Sequence, residues 1–238
     1  MSDSIMHPRC VTMGAMSIPS RRRRLRRAAA PVLAAAMLFA APMGLPAASA
    51  EPPCPDVEVV FARGTSEAPG IGRVGVALTD AIRAQSGLNV GTYGVVYPAT
   101  YDFLGAADGA RDATNRIALM AQQCPSTRIV LGGYSQGAAI VDMLAGIPPL
   151  GNRIGDLGSA PPLPGNLAGN VAAAAVFGNP SAKFSVPLNG SGQFAGKAVD
   201  MCSDGDPICS DGRNPFAHTS YESGPLVPQA AGFVVARL

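Results

Sequence analysis

Apolar positions along the chain change their period several times, and each change predicts an element. Val57 to Phe61 is a short run of β-branched and aromatic residues that reads as a strand, and Ala62-Arg63-Gly64-Thr65-Ser66-Glu67 turns out of it. Val74, Leu78, Ala81 and Ile82 then recur at helical spacing, and Asn89 to Tyr97 reads as a second strand closed by Pro98. A helix is expected from Ala106, with Asp108 and Asp112 in its early turns, where acids complement the helix dipole, and Ala113, Ile117 and Met120 on one face. It stops at Cys124-Pro125. Arg128 to Gly132 reads as a strand and Ala138 to Leu144 as a helix, with Ser135 at their junction. Val171 to Phe177 is a buried strand, Lys197 to Met201 another, and Pro228 to Leu238 a closing helix with proline at its start.

Strands alternating with helical segments imply a single α/β domain, its central sheet mostly parallel with helices on both faces. Between Gly146 and Asn170 the chain carries Pro148, Pro149, Pro161, Pro162, Pro164 and several glycines, poor material for a helix or a central strand. That stretch is expected to be a long loop rather than a linker to a second domain.

The N-terminus has a different character. Arg21 to Arg24, Arg26 and Arg27 form a basic block, Ala28 to Pro42 is mostly apolar, and Ala48-Ser49-Ala50 supplies small residues ahead of Glu51. These are the three parts of a secretory signal, so residues 1–50 are expected to be a signal peptide with its preceding leader, and residues 51–238 the folded domain. The apolar run is shorter than the roughly 20 residues that span a bilayer, which points to cleavage and release, with the product secreted or associated with the cell surface and without a transmembrane anchor.

Removing the leader reverses the charge. It contains seven of the 18 Lys and Arg and one of the 16 Asp and Glu, leaving 11 against 15, a net charge of −4. With no basic cluster left to displace counterions from a phosphate backbone, nucleic acid is an improbable partner. The domain is expected to act as a monomer.

Four cysteines remain beyond the leader: Cys54, Cys124, Cys202 and Cys209. An even count in an exported chain implies two disulfides with three possible pairings, of which the local Cys202 with Cys209 is simplest, leaving Cys54 with Cys124. One histidine and no C-x-x-C pair argue against zinc.

The chemistry concentrates in three places. Gly133-Tyr134-Ser135-Gln136-Gly137 sets a serine between two glycines, Asp206 lies between Cys202 and Cys209, and His218 is the one histidine beyond residue 50. Serine, acid, histidine is the chain order of an α/β-hydrolase triad, and the strand before Ser135 and helix after it fit a nucleophile elbow, where small flanking residues let helix and strand approach. A serine hydroxyl is a weak nucleophile near neutral pH and needs an imidazole to take its proton and later return it to the leaving group. His218 alone can do so, and an unperturbed pKa of roughly 6.5 leaves such a group largely neutral at physiological pH. A buried carboxylate must then hold the imidazole tautomer, with Asp206 favoured and Asp204 and Asp211 read as solvated loop acids. The backbone N–H of Gln136 should face the oxyanion, with a second donor from Gly64-Thr65-Ser66.

Phe61-Ala62-Arg63-Gly64-Thr65-Ser66-Glu67, Gly132 to Ala139, Cys202 to Cys209 and the His218 segment together resemble the cutinase family of serine esterases, especially its bacterial cutinase-like members. The resemblance covers most of residues 54–238. It implies a compact α/β-hydrolase in which Ser135 is nucleophile, Asp206 acid and His218 base, with an oxyanion hole from Thr65 and Gln136 and disulfides Cys54 to Cys124 and Cys202 to Cys209. It further implies hydrolysis of lipid or polyester esters of short to medium acyl chain through an acyl-enzyme, with neither metal nor organic cofactor. A phospholipase, thioesterase or acyltransferase could use the same triad, and an inactive surface protein is the reading from another class. The family's fungal members usually have serine where this chain has Thr65, and the Gly146 to Asn170 loop is longer than in those compact forms. Tyr101, Phe103 and Leu104 on one side and Leu150, Leu157 and Leu163 on the other are apolar candidates for the cleft rim, although residues of this kind more often serve simple packing than substrate contact.

Overall fold

The computed structural model describes residues 53–151 and 157–238, so the expected leader, residues 1–50, lies outside the described residues. In chain order the elements are β1 (Val57–Ala62), α1 (Gly72–Ser86), β2 (Val90–Gly94), α2 (Ala106–Gln123), β3 (Arg128–Tyr134), α3 (Gln136–Ala145), α4 (Gly165–Ala168), β4 (Val171–Phe177), α5 (Pro180–Lys183), β5 (Ala198–Met201), α6 (Pro215–His218) and α7 (Leu226–Val235). The strands form one sheet in the order β2-β1-β3-β4-β5, and every pairing is parallel. The sheet is therefore wholly, not mostly, parallel among the described strands, and it has the layered α/β-hydrolase arrangement that the alternation implied.

Alternation along β1 shows how the sheet is covered. Val57, Val59 and Phe61 face one apolar layer with Val74, Leu78 and Ile82 of α1 and Val227, Ala230 and Val234 of α7. Val60 and Ala62 face the other, with Ala113, Ile117 and Met120 of α2 and Ile140 and Leu144 of α3. Glu58 also sits in the strand but is buried, and Arg116 of α2 meets it with Nε 2.9 Å from Oε2. A buried carboxylate with a guanidinium partner avoids the cost of an unpaired charge.

Several boundaries move from their expected places. β2 ends at Gly94 rather than Tyr97, since the Val95 N–H makes the last bond to β1, to the Phe61 carbonyl at 3.0 Å, before the chain turns off toward Pro98. α7 begins at Leu226 and ends at Val235, so Pro228 sits within its first turn, where a missing N–H is harmless. Among its described residues the proline-rich stretch holds one short helix, α4, directly after Pro164. Among the described residues no helix is long and apolar enough to cross a membrane.

The strand order reverses between β1 and β3, because β2 lies on one side of β1 and the later strands on the other. At such a switch point the loops leaving the strand ends diverge and open a crevice. The loop after β1 carries Thr65 and the turn after β3 carries Ser135. Beside them, Asn179 follows β4 and bridges two acids, donating through Nδ2 to the buried Asp142 of α3 at 3.1 Å and to the partly buried Asp200 of β5 at 3.0 Å.

Candidate active site

Ser135 stands between β3 and α3 with φ 55° and ψ −115°, a backbone conformation that side-chain-bearing residues rarely adopt. Two glycines make the turn possible. A Cβ on Gly133 would lie 2.2 Å from the carbonyl oxygen of Gly137, and one on Gly137 would lie 1.9 Å from that of Ala62. The Ser135 N–H donates to the carbonyl of Phe177 at 2.9 Å, tying the turn to the end of β4. The strain is thus held by surrounding backbone rather than by the serine itself.

His218 closes the short helix α6 and reaches Ser135 Oγ with Nε2 at 2.9 Å. Its Nδ1 lies 2.8 Å from Asp206 Oδ2. Three residues far apart in the chain are thus brought into one line of hydrogen bonds, while Asp204 and Asp211 stay exposed. Asp206 is fully buried, and it accepts from the Ile208 N–H at 2.8 Å and the Tyr221 phenol at 2.6 Å. Burial pushes its carboxyl up, but the hydrogen bonds from His218, Tyr221 and Ile208 outweigh burial and hold it below its usual range.

Two tyrosines and a glycine that sequence reasoning did not single out complete this arrangement. Tyr134 donates to the His218 carbonyl at 2.6 Å, and its ring lies against the imidazole with centroids 5.1 Å apart. Burial raises its phenol to about 12, so it remains protonated as a donor. Tyr221 is pushed up by burial and by its bond to Asp206. Gly178, at φ 58°, leaves room for the imidazole, since a Cβ there would fall 2.7 Å from His218 Cε1. Tyr134 was visible within the serine motif, but no pattern marked Tyr221 or Gly178, whose roles follow from packing.

The loop after β1 is held from several sides. Glu67 accepts from the Gly64 N–H at 2.6 Å through Oε2 and from the Arg73 N–H at 3.0 Å through Oε1. Arg63 donates to the Glu67 carbonyl at 2.9 Å and to the Tyr97 carbonyl at 2.7 Å. Thr65 donates its hydroxyl to Gln136 Oε1 at 3.1 Å, so the loop and the first residue of α3 touch. Gln136 is buried, and its N–H belongs to the first turn of α3, where backbone donors lack intrahelical acceptors.

These groups open onto a cavity of about 590 Å³ that Thr65, Ser135, Gln136 and His218 line together with Tyr101, Phe103, Leu150 and Leu157. Of the rim candidates, those four apolar residues face the cavity. Leu163 is instead buried in the core, and Leu104 is half exposed without lining the cavity. The reason is the chain's return: the Leu163 N–H donates to the Leu144 carbonyl at 2.9 Å, turning its side chain under α3. Both disulfides are present, Cys54 to Cys124 and Cys202 to Cys209, and the second encloses the Asp206 loop.

Comparison with known proteins places this geometry in a family. The family model described as Cutinase matches residues 53–238. Phospholipase Culp4 of Mycobacterium tuberculosis is 49% identical over 217 residues, 91% of this chain and 92% of that protein. Carboxylesterase Culp1 of Mycobacterium bovis is 41% identical over 210 residues, 84% of this chain and 89% of its own. Among solved structures, Trichoderma reesei cutinase in complex with a phosphonate inhibitor is similar at a TM-score of 0.59 and 33% identity, with 77% of each chain covered. With the family model spanning the whole described domain and such relatives matching most of both lengths, the chain belongs to the cutinase family and is a carboxylic ester hydrolase.

Proposed function

We propose that the protein is a secreted serine esterase that cleaves lipid or polyester esters of short to medium acyl chain through an acyl-enzyme. One observation carries the reading: a single imidazole lies 2.9 Å from a serine hydroxyl and 2.8 Å from a buried carboxylate, at the wall of a largely apolar cavity. Ser135 Oγ attacks the ester carbonyl as His218 Nε2 takes its proton, and Asp206 steadies the imidazolium that forms. The N–H groups of Thr65 and Gln136 receive the oxyanion. His218 then gives its proton to the departing alcohol, and a water molecule, activated in the same way, releases the acid and regenerates the serine.

Residues 1–50 fit this reading as an export signal, cleaved before Glu51. N-terminal sequencing of protein recovered from culture medium tests it, and a product that still begins within the leader would refute it. The central test is Ser135→Ala, which should abolish ester hydrolysis and covalent labelling by an organophosphate while the circular dichroism spectrum is retained. Undiminished labelling of that variant would overturn the assignment.

The relative named a phospholipase supports a second reading with the same three residues, in which the ester is that of a phospholipid. Comparing acid release from nitrophenyl esters with release from phosphatidylcholine vesicles separates the two.

A further inference from the structure

The loop after β1 and the segment that carries His218 meet at one side chain. Arg73 is the second residue of α1, and its backbone N–H donates to Glu67 Oε1 at 3.0 Å. Its guanidinium stays by the same carboxylate, with Nε 3.5 Å from Oε1, and reaches across to the chain after α6. There Nη1 meets Glu222 Oε1 and stands 3.5 Å from the Thr219 carbonyl oxygen. Gly72, at φ 65°, permits this approach, since a Cβ there would fall 2.5 Å from Glu67 Oε2. Glu67, Arg73 and Thr219 line the cavity onto which Ser135 and His218 open.

The element that carries the histidine needs outside support. α6 has four residues, too few to be stable through its own hydrogen bonds, and of these Phe216 is 78% exposed and Ala217 alone is buried. Two successive carbonyls tie it down. That of His218 accepts from Tyr134, the residue before Ser135, and that of Thr219 faces Arg73. The first tie sets the imidazole against the serine turn, and the second sets it against the loop that carries Thr65.

Glu222 distinguishes this pair from an ordinary surface ion pair, which contributes little. It follows Tyr221, whose phenol holds Asp206, in the short turn Tyr221–Ser223, and its side chain is 27% exposed. Its Oε2 is buried without a hydrogen-bond partner, and among the described residues Arg73 is the one cation that the carboxylate meets. A mostly covered carboxylate stripped of its counter-charge has to gain water, so the turn that bears it must move. The guanidinium is already bracketed by two carboxylates, which leaves it no charge to spare for a substrate anion. We propose that Arg73 is a positioning residue for ester hydrolysis, strapping the Thr65 loop to residues 218–222 so that oxyanion donor and imidazole keep one relative geometry as charge develops. The inference rests on the reading of Ser135 as nucleophile and His218 as base. Misplacing reacting groups by about 1 Å can cost about 100-fold in rate, and loosening one of two ties should cost less.

The test uses the full exported protein with p-nitrophenyl butyrate. Arg73→Ala should lower kcat roughly tenfold and leave KM within about twofold. Glu222→Gln removes the charge that needs a partner, so the double variant Arg73→Ala with Glu222→Gln should run at least about threefold faster than Arg73→Ala alone. Arg73→Lys, which keeps the cation without the planar fork, should fall between wild type and Arg73→Ala. Hydrogen exchange read by mass spectrometry is independent of turnover: amides of residues 216–222 should exchange faster in Arg73→Ala and return toward the wild-type rate in the double variant. A residue that serves stability alone would lower the melting temperature with kcat intact, or give a double variant as slow as the two single losses multiplied together. Either result, or unchanged exchange in Arg73→Ala, would overturn the proposal. Should the wild-type protein hydrolyse no nitrophenyl ester, the esterase reading falls, and the exchange comparison decides the strap alone.

Discussion

The phenol of Tyr221 donates to Asp206 Oδ2 at 2.6 Å, the same carboxylate oxygen that His218 Nδ1 meets at 2.8 Å. The tyrosine is buried and also accepts from the Ser203 N–H at 2.9 Å, so it ties the carboxylate to the start of its own loop. Tyr221→Phe should lower unfolding free energy by about 1–2 kcal/mol and kcat by roughly tenfold, with KM little changed. A depressed carboxyl adds stability that is present above its ordinary value and lost as pH falls through the folded one. Losing the phenol brings the two values closer, so acid unfolding of the variant should begin at higher pH. Chemical denaturation across acid pH, beside steady-state kinetics, checks both claims.

Glu67 bears on the loop that holds Thr65. With both carboxylate oxygens accepting backbone N–H groups, Glu67→Gln must turn an amide donor toward one of them. The variant should lose roughly tenfold in kcat with KM nearly constant, because a displaced oxyanion donor matters most once charge has developed. Unaltered kcat would show that Thr65 keeps its place without the carboxylate.

The two disulfides should separate stability from activity. Chain-entropy arguments assign about 2.5 kcal/mol to the Cys202 to Cys209 bridge, with its sequence separation of 7, and about 4.4 kcal/mol to Cys54 to Cys124, with its separation of 70. Replacing Cys202 and Cys209 by serine should therefore cost the smaller amount of stability but the larger amount of turnover, since that loop presents Asp206. The reverse order in melting and rate measurements would contradict this division.

Asp142 gives a pH signature of its own. Burial drives its carboxyl well above the ordinary value of 3.8, against the Asn179 hydrogen bond, which favours ionisation. A carboxyl raised in this way adds stability that is complete below the unfolded value and declines as pH rises toward the folded one. Asp142→Asn keeps an acceptor for Asn179 but has no proton to lose, so its stability relative to wild type should improve steadily from about pH 4 upward. Urea midpoints measured from pH 4 to 8 test the slope, and parallel curves would rule it out.

Much of the fold was legible because its strands are apolar runs bounded by glycine and proline. β4 matched its expected span, and β3 with α3 fell where Gly133 and Gly137 required a tight turn. The end of β2 was not legible, since Tyr97 is buried beyond the ladder and looks like a strand residue in sequence. Leu163 misled for a similar reason: an apolar residue in a proline-rich loop does not reveal which way its side chain turns. Ser135, Asp206 and His218 could be picked out by chemical type and order, whereas Tyr221 and Gly178 act through position alone.

The contact between Gly137 and the Ala62 carbonyl has a consequence for how such a protein diversifies. Main chain rests on main chain there, one residue past Gln136 and three before Thr65, so any side chain at 137 would wedge the two anchors apart. The reacting centre is thereby fixed by the scaffold, while Tyr101, Phe103, Leu150 and Leu157 bound the cavity as side chains. New appetites can arise by redrawing that margin and leaving the chemistry untouched.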